Sequence, residues 1–242
     1  MPPETRSAVE LEDVGLKLGS AEFYFDCRIA TGQITAIVGP SGSGKSTLLN
    51  LIAGFEQPDT GRVRIEGEDV TERLPAARPV SLVFQDNNLF SHLDLFTNVG
   101  LGIDPALRLT AADRASVSSA LVRVGLQGQE KRMPATLSGG ERQRAAFARA
   151  LVRKKPVVLL DEPFAALDPG LRAAMVDLLA DLHRETGFTI VLVTHDPQDV
   201  VRLASDVLFL EHGRIALHAT RDVFFSRTDL PAIAAFIGES AL

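Results

Sequence analysis

The chain has 242 residues, 45% hydrophobic and 23% charged, with a formal net charge of −6. This is the composition of a globular protein with enough apolar mass for one large domain or two small ones. The negative balance, without a long basic run, argues against a nucleic-acid-coating surface, and no nucleic-acid partner is expected. The single cysteine, Cys27, allows no internal disulfide, which predicts a reducing, cytosolic setting and a packing role for Cys27.

Residues 1–10, MPPETRSAVE, hold no apolar stretch of secretory type. Residues 8–18 and 22–29 alternate in polarity and predict two strands of an antiparallel sheet. Residues 33–39, QITAIVG, form a short apolar strand running into a glycine-rich loop, and 45–54 read as a helix closed by Gly54. Residues 61–67 and 79–84 are further strands. From 89 to about 153 strand patterns vanish, and 110–125 and 139–154 read as amphipathic helices, so a helical insertion is expected there. Residues 156–160 and 188–195 are buried strands. The helix between them, 169–186, carries Leu171, Met175, Leu178 and Leu182 on one face. Residues 206–219 read as a closing hairpin turning at Gly213. The stretch LPAIAAFIG, 230–238, is too short to span a bilayer and reads as a packing helix. Apolar strands alternating with helices predict an α/β fold with a parallel sheet covered on both faces.

The segment Gly39-Pro40-Ser41-Gly42-Ser43-Gly44-Lys45-Ser46-Thr47 fits G-x-x-x-x-G-K-[ST], between a strand and a helix. Glycines there let backbone N–H groups turn inward around phosphate oxygens. Lys45 places a charge at the β- and γ-phosphates of a nucleotide, and the Ser46 hydroxyl can ligate Mg²⁺. The run VVLLDEP puts Asp161 and Glu162 at the end of a buried strand, where ligands sit in parallel α/β sheets. Asp161 is placed to hold Mg²⁺, directly or through water, and Glu162 to polarise a water against the γ-phosphate. His195 ends another buried strand and is expected at the γ-phosphate. Gln85 ends a third and could reach Mg²⁺ or the attacking water, with Asn87 and Asn88 shaping a turn. Ser138 and Glu141 have capping-box spacing around Gly139 and Gly140, which makes a second helix start suited to an anion.

The ordered set GPSGSGKST, FQD, LSGGERQR, LLDEP, ALD and VTHD resembles the ATP-binding subunits of ABC transporters over nearly the whole chain. The resemblance implies a P-loop NTPase core, with an N-terminal antiparallel β subdomain and a helical subdomain at about 89–153, in a single domain spanning 1–242. It leaves no room for a C-terminal regulatory domain. It implies a head-to-tail pair of copies in which Ser138, Gly139, Gly140 and Gln143 complete the partner's ATP site, with Asp168 at the same interface. It also implies a peripheral place on the cytoplasmic face of the membrane beside permease subunits. In the family, the stretch after Gln85, with Leu89, Phe90, Leu93, Leu95 and Phe96, grips a permease helix; alternatively these residues fill the helical subdomain's core.

The wording ARPVSLVFQDNNLFSHL, STLLNLIAGF and NVGLG is most like the thiamine-import branch, which implies an extracytoplasmic thiamine-binding protein as a further partner. Importers of polyamine, iron or sulfate-type solutes remain the alternative. A non-transport ABC ATPase is disfavoured by the lack of zinc-bearing or coiled-coil insertions. One position departs from the family: Leu18 stands where an aromatic residue usually stacks on adenine. Looser ATP binding and a weaker preference for ATP over GTP are therefore expected, and competition binding of the two nucleotides checks this; an ordinary KM with full preference would refute it.

Overall fold

A computed structural model of the protein describes residues 6–84 and 88–238. Gln85 and Asn87 lie outside the described residues. The first half of the described chain runs β1 (Ser7–Leu18), β2 (Ala21–Ala30), β3 (Ile34–Val38), α1 (Lys45–Ala53), β4 (Thr60–Ile65), β5 (Glu68–Asp69) and β6 (Val80–Val83). Helices α2 (Leu95–Gly100), α3 (Ala111–Arg123) and α4 (Gly139–Val152) follow, then β7 (Val157–Asp161), α5 (Pro169–Thr186) and β8 (Thr189–Val193). The chain closes with α6 (Pro197–Leu203), β9 (Asp206–Glu211), β10 (Arg214–Thr220), α7 (Arg221–Ser226) and α8 (Pro231–Gly238).

Among the described residues all ten strands belong to one sheet, ordered β5-β4-β1-β2-β10-β9-β3-β8-β7-β6. From β9 to β6 every neighbouring pair is parallel. The central strands β3, β7 and β8 are largely apolar and buried on both faces, with Thr35 and Thr189 buried among them and only the terminal Asp161 of β7 partly exposed, as a covered parallel sheet demands. The antiparallel strands expected near the N-terminus are not a separate layer. They continue the same sheet through β10, which pairs antiparallel with β9 and meets β2 at one parallel position, Arg214 to Tyr24.

Between β6 and β7 the described residues form only helices, 3₁₀ turns and loops. Helix α3 starts on a capping box, with the Thr110 hydroxyl accepting from the Asp113 N–H while the Asp113 carboxylate accepts from the Thr110 N–H. Leu95, Val99, Val117 and Leu121 pack α2 and α3 on α4. Leu95 is fully buried and Leu89 and Phe96 pack against this core. Of the two expectations for this stretch, core filling holds for those three residues, while Phe90 is half exposed.

The buried face of α5 is Met175, Val176, Leu179 and Leu182. Leu171 and Leu178 lie at its border, only partly buried. The buried stripe is thus rotated from the expected row, taking in Val176 and Leu179 in place of Leu171 and Leu178.

Arg78 carries no motif and is the largest fully buried side chain. Its guanidinium donates to the carbonyl oxygens of Leu51 (2.6 Å), Ile52 (3.0 Å), Thr71 (2.9 Å) and Arg73 (3.0 Å). Two of these are orphan carbonyls at the end of α1, which a basic side chain satisfies there. Gly54 makes room: a Cβ there would lie 2.4 Å from Arg78 Nε. Replacing Arg78 by Met should strand these carbonyls and destabilise the protein by about 3 kcal/mol, which thermal denaturation would read as a Tm fall of roughly 6–12 °C.

Candidate functional site

The register of the parallel sheet brings three chain ends to one edge. Ile37 and Asp161 both pair with Val193, so the loops leaving β3, β7 and β8 emerge side by side. This is the carboxyl edge where α/β sheets bind ligands.

The loop from β3 to α1 turns on Gly39, Gly42 and Gly44, with φ of 146°, 76° and 102°. At Gly39 a Cβ would lie 2.1 Å from the Leu210 carbonyl oxygen, and at Gly44 2.9 Å from the Phe23 ring. Both positions therefore exclude side chains on steric grounds as well as by backbone conformation. Lys45 Nζ donates to the carbonyl oxygens of Gly39 (2.8 Å) and Pro40 (2.9 Å), folding its charge over the loop. The Ser43 hydroxyl is buried with no protein partner. Pro40, Ser41 and Ser46 are exposed and Thr47 is partly so. An inward-turned loop with a half-buried ammonium and an unpaired buried hydroxyl fits phosphate oxygens.

Asp161 ends β7, near the Ser46 hydroxyl of the loop. Burial, then the neighbouring Glu162 charge, pushes its carboxyl above the ordinary range, while Lys45 and Ser46 pull the other way. Burial lowers the Lys45 ammonium, with Glu162 and Asp161 opposing the shift. Among the described residues no three His, Cys, Asp or Glu cluster into a metal site of their own. The Ser46–Asp161 oxygen pair instead fits Mg²⁺, which is usually held by one or two protein oxygens together with phosphate oxygens and water.

Glu162 has φ of 44°, a left-handed conformation uncommon for its residue type and of the kind held at functional sites. Its N–H donates to the Val193 carbonyl at 3.0 Å, and buried Phe164 anchors the turn that follows. His195 Nδ1 lies 3.5 Å from Glu162 Oε2. Gly39, Pro40, Ser41, Lys45, Glu162 and His195 surround one open cavity of about 380 Å³. Its far wall is Phe209 and, from α8, Ala232, Ala235 and Phe236. Residues 230–238 read from the sequence as a packing helix, and an apolar helix with no motif carries no signal that one face lines this cavity.

The remaining predicted residues stand elsewhere. Ser138 caps α4 in the expected box: its hydroxyl accepts from the Glu141 N–H (3.2 Å), and Glu141 accepts from the Ser138 N–H (2.7 Å). A Cβ on Gly139 would meet open space, while one on Gly140 would lie 2.4 Å from Leu171. Gln143 is 3% exposed, so its side chain is inside its own subunit, and its Nε2 has no partner. Asp168 is the exposed N-cap of α5, its carboxylate accepting from the Leu171 N–H at 3.0 Å. None of these five residues lines the cavity around Lys45. Leu18, 40% exposed at the end of β1, lies on the same strand face as Leu16, opposite Ala21, and does not line it either. Asn88 adopts φ of 44°, the turn conformation expected there.

The ABC transporter family model matches residues 24–165. The thiamine import ATP-binding protein ThiQ of Rhizobium meliloti (strain 1021) is 57% identical over 96% of this chain and 98% of that protein. ThiQ of Mesorhizobium japonicum is 55% identical over 96% of this chain and 92% of that protein. Among solved structures, a dimeric ATP-binding cassette bound to ADP and Pi in a post-hydrolysis state superposes with a TM-score of 0.77 and 31% identity, over 88% of this chain and 98% of the other. The cbiO1 subunit of the Clostridium perfringens transporter complex cbiONQ superposes with a TM-score of 0.81 and 28% identity, over 96% of this chain and 99% of the other. The chain belongs to the ABC transporter family, as one of its ATPase subunits.

Proposed function

We propose that this protein is the ATP-hydrolysing motor of a thiamine importer, working as a head-to-tail pair of copies around two nucleotides. One observation carries the two-copy reading: the cavity at Lys45 is open and holds none of Ser138, Gly139, Gly140 or Asp168. A capped helix start of this kind is a ready anion site, and a second copy is the source that would bring one to the cavity. The names of full-length relatives support thiamine as the solute. The whole chain is read as a single ATPase unit, with α2 to α4 as its helical subdomain.

In this reading the 39–47 loop and Lys45 cradle the triphosphate. Glu162 orients and deprotonates the attacking water, and His195 contacts the γ-phosphate from the neighbouring strand end. Mg²⁺, held by Ser46 and Asp161, would neutralise charge developing on the phosphate oxygens. Gln85, outside the described residues, is assigned to the same group. Crowding two carboxylates and an ammonium at one partly desolvated edge costs stability in the empty protein and becomes useful once phosphate arrives.

Among the described residues no helix is long and apolar enough to cross a membrane, so coupling to transport requires a permease contact. A groove of about 500 Å³ lined by Phe55, Phe84, Leu101 and Ile103, with Arg153 and Lys155 also lining it, offers a seat for an amphipathic permease helix. The complex would sit on the cytoplasmic face of the inner membrane and receive thiamine from an extracytoplasmic binding protein.

Glu162→Gln should lower kcat by roughly 10²- to 10⁴-fold and trap an ATP-bound dimer visible by size-exclusion chromatography; hydrolysis at the parental rate would remove Glu162 from the reaction. Asp161→Asn should abolish turnover yet raise the nucleotide-free Tm by roughly 2–4 °C, because it deletes a desolvated carboxylate beside another. Reconstituted with permease and binding protein, the ATPase should be stimulated by thiamine. Stimulation by a polyamine, iron or sulfate-type solute and not by thiamine would move the assignment to that solute.

A further inference from the structure

Helix α5 leaves its N-cap Asp168 and within one turn touches two other parts of the site. Leu171 seats against Gly140 of the α4 start. Arg172 reaches the loop that carries His195. Its Nε donates to Asp199 Oδ1 at 3.1 Å and its Nη2 to Asp199 Oδ2 at 2.7 Å, a two-point grip. The same Nη2 is 3.1 Å from Asp196 Oδ2. The Asp199 side chain is only 3% exposed and that of Arg172 19%.

Asp199 in turn accepts from the Thr194 hydroxyl at 2.6 Å, and the Thr194 hydroxyl accepts from the Asp196 N–H at 3.1 Å. Both chain neighbours of His195 are thus tied to one buried carboxylate, and Arg172 is the cation that neutralises it. The His195 side chain is itself 55% exposed and meets Glu162 at 3.5 Å. Its place therefore depends on the backbone on either side being held. Forked arginine–carboxylate bonds are directional as well as strong, and removing one partner leaves a buried charge, so such a clamp tolerates few geometries.

We propose that Arg172 is a positioning residue for His195, holding it at the γ-phosphate end of the cavity through Asp199 and Asp196. The proposal rests on the role given to His195 above. The test compares Arg172→Gln and Arg172→Lys in the parental and His195→Ala backgrounds, measuring steady-state ATP hydrolysis and equilibrium ATP binding of the full chain. In the parental background Arg172→Gln should lower kcat by roughly 10- to 100-fold while ATP affinity stays within about twofold. Arg172→Lys, which keeps the charge and loses the fork, should recover part of the rate.

In the His195→Ala background the same substitutions should cost nothing further, because the group they position is gone. An unchanged kcat overturns the proposal, and so does an equal loss in both backgrounds, the mark of general loosening. If Arg172→Gln does not fold, Arg172→Lys carries the same comparison. Full activity in His195→Ala would overturn the parent reading along with this one, whereas an additive Arg172 effect beside a crippling His195→Ala overturns this one alone.

Discussion

The turn from β3 into α1 has room for backbone and little else. At Gly39 a side chain would collide with the Leu210 carbonyl of β9, the strand beside β3, and at Gly44 with the Phe23 ring of β2. β9 belongs to the parallel part of the sheet and β2, beyond β10 on the same flank of β3, to the antiparallel part, so both parts pack against the loop. The loop's N–H groups and Lys45 can converge on phosphate only because both parts close on it. The fully buried Arg78 holds the far end of α1 by the same logic, spending a whole guanidinium on carbonyls the helix leaves open.

With the loop held, charge decides what the edge can do. Lys45, Asp161 and Glu162 are brought together in a partly desolvated place, where burial lowers the lysine and raises the aspartic acid, Glu162 adds to the second shift, and the opposite charges resist both. That arrangement is poor for an empty protein and well suited to a polyanion with a divalent cation. The Glu162 backbone is held in its uncommon conformation by a hydrogen bond to Val193, at the strand end that leads to His195. The two side chains therefore share one support.

The site is also incomplete in a physical sense. Its cavity stays open, while the exposed cap residues Ser138 and Asp168, at the starts of α4 and α5, stand elsewhere. The first turn of α5 touches both the α4 start and the His195 loop within one subunit. Gln143 does not share that outward face; its side chain is folded into its own subunit.

Much of this was legible in the residues alone. The apolar runs of β3, β7 and β8, the glycine loop, and the Ser138–Glu141 box are local patterns, set by side-chain periodicity, backbone freedom and hydrogen bonds three residues apart. Such patterns survive translation straight into structure because they need no distant partner. What only the tertiary structure decided was adjacency. The joining of the antiparallel strands to the parallel sheet through β10, the burial of Gln143, the α8 wall of the cavity, and the grips of Arg78 and Arg172 all depend on residues far apart in the chain. No spacing rule encodes them, since each arises when packing removes water from a polar group and forces it to find whichever partner the fold has carried within reach.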